Sequence, residues 1–249
     1  MLRILSIGNS FSQDAHAMLH DQASSVGIAV ETANLYIANC SLQRHWCGIA
    51  QDNRDALYER NGADTGRHLT IAEALAIQPW DIVTLQQSSP HSGQYETYFP
   101  YLSNFVGWIH NLLPSCRLWL HETWAYDQDS DRPAFAIYEH SQRRMFEAIR
   151  EANHRAAAKL GLSLIPSGEL IQALRALPAF DPARGGRSLT RDGFHLDLLY
   201  GRWAVAALWL ECLCGADARE IRFLPEGGDP VLLHAISEVV HRTAQLTRE

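Results

Sequence analysis

What this chain of 249 residues lacks narrows its class before any motif is read. No stretch approaches the ~18 uninterrupted apolar residues that a membrane-spanning helix requires. The first residues lead straight into an apolar segment, without a basic leader, an apolar signal stretch and a small-residue cleavage site, so no export signal is expected and the cytoplasm is the expected location. Cysteine is sparse and odd in number: Cys40, Cys47, Cys116, Cys212 and Cys214 have no framework spacing, and a single residue separates the last two. That pattern excludes a disulfide scaffold and argues against a zinc or redox motif, leaving buried thiols. Clusters of Lys and Arg are missing as well, and the formal net charge is -7, which argues against nucleic acid or an anionic membrane as the main partner. A small-molecule substrate, neutral or cationic, is the natural expectation. Internal repeats are absent.

What is present suits one globular domain spanning 1–249, with 47% hydrophobic and 20% charged residues and length enough for a large core. The stretch Leu2-Arg3-Ile4-Leu5-Ser6-Ile7 reads as a buried parallel strand broken by Gly8, and Asn9-Ser10-Phe11-Ser12-Gln13-Asp14 opens a helix. A strand-to-helix turn at the carboxyl end of a sheet exposes Ser10 beside free backbone N–H groups, where a developing oxyanion is favoured. Ser and Asn beside Gly are also ordinary capping residues, so this stretch alone is compatible with a purely structural turn. Far along the chain, Thr190-Arg191-Asp192-Gly193-Phe194-His195 places an Asp three residues before a His in a turn. That spacing lets a carboxylate hold one imidazole nitrogen while the other faces a serine.

GNSFS and DGFH together resemble the first and last sequence blocks of the SGNH (GDSL-type) hydrolases, a superfamily of serine esterases and acetylesterases. The succession ILSIGNSFSQDA, LYIANCSLQRHW, WDIVTLQQSSPHSG, LHETWAY and LTRDGFHLD is similar to a bacterial branch of it, over Leu2 to about Trp209. The resemblance implies a three-layer α/β/α sandwich on a flavodoxin-like, roughly five-stranded parallel sheet. It also implies Ser10 as nucleophile, with Ser12 as rival, His195 as base, Asp192 as its orienting partner, and no cofactor or metal. In that superfamily a second block, usually through a glycine, supplies an oxyanion N–H, and Asn39 stands at that place here. Asn tolerates left-handed backbone angles better than other non-glycine residues, though it is equally at home in a plain turn. A third block, Gly-x-Asn-Asp, is missing. Gln86 and Gln87 end the corresponding strand, pointing to opposite sides, and Gln87 is the better placed to donate to the oxyanion, with the Ser10 and Asn39 N–H groups.

Elsewhere, helical spacing runs from Ala15 to a stop at Gly27, and Ile28–Ile37 is a strand. Residues 43–67 are polar and aperiodic, either a surface excursion or a wall of the substrate pocket, the latter slightly preferred. A capping box at Thr70 and Glu73 opens a short helix before a strand at Trp80–Gln87. A helix over Tyr98–Leu113, a strand at Arg117–Trp124, a long helix over Pro133–Leu160, a strand at Leu162–Pro166, a Ser167-capped helix and an apolar helix over Leu198–Cys214 follow. Trp124, and Tyr126 after it, reach the expected site edge, where Trp124 either stacks on a sugar or belongs to the core. His16 and His20 are four apart, metal-ligand spacing without matching partners. The function expected is hydrolysis of a small acyl ester, with acetyl on a carbohydrate as the example, through a Ser-His-Asp triad. Two alternatives stand beside it: a non-catalytic binder of a small anionic or sugar ligand, and a metal phosphodiesterase using His16, His20 or His121. Oligomeric state is not legible.

Overall fold

A computed structural model describes residues 1–246. Its strands are β1 (Leu2–Gly8), β2 (Val30–Tyr36), β3 (Ala56–Arg60), β4 (Ala63–Leu69), β5 (Ile82–Leu85), β6 (Arg117–Glu122) and β7 (Ser163–Pro166). They form one sheet in the order β4-β3-β2-β1-β5-β6-β7. The five strands β2-β1-β5-β6-β7 are parallel throughout, the doubly wound order in which ligands bind beyond the carboxyl ends where the chain changes direction. That is the α/β sandwich anticipated from the resemblance, with two strands more than expected.

The extra pair is made by the segment that lacked a period. Most of residues 43–67 belong to helix α3 (Leu42–Ala50) and to an antiparallel hairpin, β3-β4, which extends the sheet at β2, with 51–55 linking the two. Its two-residue turn is Asn61-Gly62, both at positive φ (49° and 77°), the turn whose twist matches a hairpin. Asn61 also accepts from the Thr32 N–H at 2.9 Å, pinning the turn to β2. None of residues 43–67 lines the cleft described below, so the pocket-wall expectation is corrected: this segment broadens the sheet instead.

The remaining helices are α1 (Ser10–His16), α2 (Leu19–Ser25), α4 (Ile71–Ala76), α5 (Tyr101–Leu112), α6 (Gln142–Leu160), α7 (Ser167–Arg175), α8 (Tyr200–Cys214) and α9 (Pro230–Gln245). Thr70 and Glu73 make the expected capping box on α4. The helix expected over Pro133–Leu160 is interrupted: residues 133–138 form 3₁₀ turns, Glu139 and His140 take positive φ, and Ser141 caps α6 by accepting from the Arg144 N–H. Ser167 does not cap α7. Its hydroxyl bonds His121 instead.

Alternation along the strands divides the core in two. Leu5, Ile7, Val83, Leu85, Leu118 and Leu120 join the core beneath α4, α5 and α6, whereas Ile4, Ile82 and Ile165 face α8. Helix α8 is buried almost all round, which its mostly apolar sequence requires, above all the run Trp203–Leu210. The α8 face also carries polar residues: Ser6 bonds His16 and Thr84, each at 2.7 Å, and the edge of Trp209 meets both the His16 and His121 rings. Burial drives the imidazoles of His16 and His121 down to about 3, and that of His45 to about 4. In the other direction, burial raises the Glu122 carboxyl to about 8.

These shifts set a pH dependence. An imidazole whose pKa is depressed by folding contributes stability that is complete above its unfolded value of 6.5 and is lost as pH falls toward the folded value. Glu122 acts oppositely, as do Glu59 and Asp197 by smaller upward shifts, but below pH 6.5 the three imidazoles together outweigh them. The urea midpoint is therefore expected to fall from pH 6.5 to pH 5. A midpoint that is flat or rises over that interval contradicts the burial of these rings in neutral form.

Candidate active site

Ser10 follows directly from the end of β1, in the first turn of α1. Gly8 makes the close turn possible, since a Cβ there would stand 2.3 Å from the Ser12 hydroxyl oxygen. Asn9 caps α1 by accepting from the Phe11 N–H, and its amide donates to the Cys40 carbonyl at 3.1 Å, tying the serine turn to the loop after β2. Ser12, the rival, is fully buried; its hydroxyl faces the Asn9 carbonyl and the Asn34 side chain and lies away from the cleft.

His195 arrives from the opposite end of the chain. Its Nε2 lies 2.9 Å from the Ser10 Oγ, and its Nδ1 lies 2.7 Å from Asp192 Oδ2. Asp192 also accepts from the His195 backbone N–H at 2.8 Å, so carboxylate and imidazole are locked in one turn. Gly193, at φ 79°, lets the chain fold back between them. Partial burial alone would raise the Asp192 carboxyl, but its bonds to His195 outweigh this and hold it below the usual carboxylate range.

The turn is anchored by a carboxylate from the helix that carries Ser10. Asp14, one helical turn beyond Ser10, is wholly buried and accepts from the Leu196 N–H at 3.0 Å and from Arg202 Nε at 2.8 Å, with Arg191 Nη1 at 3.3 Å. Asp197 then receives the Leu199, Tyr200 and Gly201 N–H groups that start α8. A carboxylate four residues after Ser10, on the same helix face as the apolar Phe11, was a legible sign that a cation had to come from elsewhere.

These groups open on a cleft of about 420 Å³ at the carboxyl ends of the strands. Its walls are Ser10 and Phe11, Tyr36, Ala38 and Asn39 after β2, Ser89 and Pro90 after β5, Tyr126 and Arg132 after β6, and Phe194 and His195 before α8. Asn39 adopts φ 52°, and among the described residues neither its N–H nor that of Ser10 donates to an acceptor.

Two expectations are corrected. Gln87 does not face the cleft: its amide donates to the Thr97 carbonyl and hydroxyl, both at 3.1 Å, and its oxygen accepts from the Leu42 and Ser88 N–H groups. Gln86 is equally occupied, donating to Asn9 Oδ1 at 2.7 Å and lying 2.9 Å from His121 Nδ1. Both amides are thus turned to partners beneath the cleft and away from it. Trp124 is the second correction, for it is wholly buried, stacked 4.2 Å from Phe11, with its indole N–H donating to the Phe194 carbonyl. It supports the cleft from behind. His16 and His20 bond Ser6 and the Val30 carbonyl separately, and so do not form a common ligand set.

The family described as a domain of unknown function, DUF4886, matches residues 3–242. The chain belongs to it. A solved DUF4886 family protein from Bacteroides uniformis is 35% identical, with a TM-score of 0.91 over 100% of this chain and 96% of the other. More distant members of the fold include a protein from Slackia heliotrinireducens assigned to the SGNH hydrolases, 23% identical, TM-score 0.55, covering 84% of this chain and 96% of that one. An acetyl xylan esterase, AlAXEase, is 12% identical with a TM-score of 0.57, covering 84% and 98%. The last two are similar to this family in fold. No curated protein matches the chain.

Two variants test the supporting residues. Asp14→Asn leaves two guanidinium groups facing a neutral amide in a buried place, and should lower stability by about 3 kcal/mol by urea titration. Gln87→Ala should lower it by about 2 kcal/mol, from the N–H groups and Thr97 oxygens left unmatched, while the rate at which the folded variant cleaves an acetyl ester, compared with that of the wild-type chain, changes less than about fivefold. A hundredfold loss of kcat at unchanged stability would return Gln87 to the oxyanion site.

Proposed function

We propose that this chain is a serine esterase of the SGNH (GDSL-type) superfamily that hydrolyses a small acyl ester, with acetyl on a carbohydrate alcohol as the leading example. The observation that carries the reading is the unbroken line from the Asp192 carboxylate through the His195 ring to the Ser10 hydroxyl, ending at an open cleft. The distances, 2.7 and 2.9 Å, lie within hydrogen-bond reach before any substrate binds.

The chemistry follows from those contacts. Ser10 Oγ attacks the ester carbonyl carbon as His195 Nε2 takes its proton, and Asp192 holds the Nδ1–H and stabilises the imidazolium. The tetrahedral oxyanion is met by the backbone N–H groups of Ser10 and Asn39. Collapse breaks the bond to the alcohol, which leaves with the proton from Nε2. Water, deprotonated in turn by His195, cleaves the acyl-enzyme and frees the acid. The fold shared with an acetyl xylan esterase supports a small acyl group, as does a cleft of modest volume.

On 4-nitrophenyl acetate, Ser10→Ala and His195→Ala should each lower kcat about 10³-fold or more, and the double variant little further, because the members act as a unit. Circular dichroism should show the fold retained. If Ser10→Ala keeps its rate while Ser12→Ala loses it, the nucleophile is misassigned.

A further inference from the structure

The net charge of -7 favours a neutral or cationic substrate, but the cleft itself runs the other way. No Asp or Glu lines it, and its one permanently charged wall residue is Arg132, in the loop after β6. The Arg132 guanidinium lies over the Phe194 ring, 3.7 Å from its centroid, and Phe194 is in turn stacked on the His195 ring at 3.6 Å. The Arg132 guanidinium makes no hydrogen bond or ion pair among the described residues, in contrast to those of Arg175, Arg191 and Arg202 around the same loops, each of which meets a carboxylate. A guanidinium held by its face on an aromatic ring keeps its in-plane N–H donors free for a planar anion.

The stack also fixes which half of the ester it meets. His195 delivers its proton to the departing alcohol oxygen, so the alcohol occupies the His195 side of the cleft, and the oxyanion lies toward Ser10 and Asn39. Arg132 stands on the His195 side, joined to it through Phe194. We infer that Arg132 selects esters whose alcohol part carries a carboxylate, which it binds through its paired N–H donors. This rests on the esterase reading for its orientation, and the site then takes acylated hydroxy acids, sugar acids among them, in preference to neutral acylated alcohols.

The test compares 4-acetoxybenzoate with its neutral analogue 4-acetoxybenzamide. Intrinsic reactivities cancel when the ratio of their kcat/KM values is compared between wild type and variants. The ratio should fall about tenfold to a hundredfold in Arg132→Gln, the range of a hydrogen bond to a charged group. Arg132→Lys, which keeps the charge and loses the fork, should recover part of it. A ratio unchanged within about twofold in Arg132→Gln overturns the assignment. A second readout needs no turnover: Ser10→Ala should bind 4-hydroxybenzoate at least about tenfold more tightly than 4-hydroxybenzamide by calorimetry, and adding Arg132→Gln should erase the difference. Should neither acetate be hydrolysed by wild type, the esterase reading fails while this binding comparison still decides on Arg132: discrimination lost with Arg132 supports the anion site, and equal affinities reject it.

Discussion

A buried carboxylate, Asp14, holds the two ends of the chain in register. It sits on the helix that carries Ser10 and grips the backbone N–H next to His195, together with Arg191 and Arg202 from either side of that turn. A hydrogen bond of 2.9 Å between residues 185 apart tolerates little drift, and a surface loop would not maintain it unaided. A buried charge with two cationic partners and a backbone donor has few alternative arrangements, so the fold that satisfies Asp14 also seats the imidazole. Such a group contributes less to net stability than to the uniqueness of the arrangement, because desolvating the charges offsets much of their attraction.

A neutral polar layer completes the support from beneath. Asn9, in the Ser10 turn, is bonded by Gln86 from the end of β5; Gln86 meets His121 from β6; and His121 meets Ser167 at the start of α7. The chain thus crosses three neighbouring strands, with one ring kept neutral by burial so that it can donate at one nitrogen and accept at the other. Gln86 thus works beneath Ser10, bracing its turn through Asn9, while the free N–H groups of Ser10 and Asn39 remain above it.

The parallel strands, the Thr70 capping box and the Asp192–His195 turn were legible because each depends on local pattern or on a short fixed spacing, whereas the meeting of that turn with Ser10, 185 residues away, was implied only by the resemblance to the SGNH hydrolases. The hairpin at Asn61-Gly62 was legible in principle, but its strands are short and polar, with β4 exposed along most of its length, so hydrophobic alternation gave no signal. Gln87 and Trp124 were misjudged for one reason: residue type and strand position do not reveal that Thr97 and the Phe194 carbonyl will lie within reach. Arg132 had no sequence signal at all, since an arginine between Asp131 and Pro133 looks like any surface loop until its ring partner is brought in from residue 194. Helix α9 lay beyond the last block of the resemblance and was not anticipated.

The central claim is that His195 makes Ser10, alone among the serines around this turn, a nucleophile. Labelling the intact protein with a serine-reactive phosphonate, followed by peptide mapping, addresses it directly, because the reagent modifies only a serine whose proton is being removed. One adduct per chain on Ser10, abolished by His195→Ala, is the predicted result. An adduct on Ser12 or Ser89, or none on a folded protein, would contradict the account.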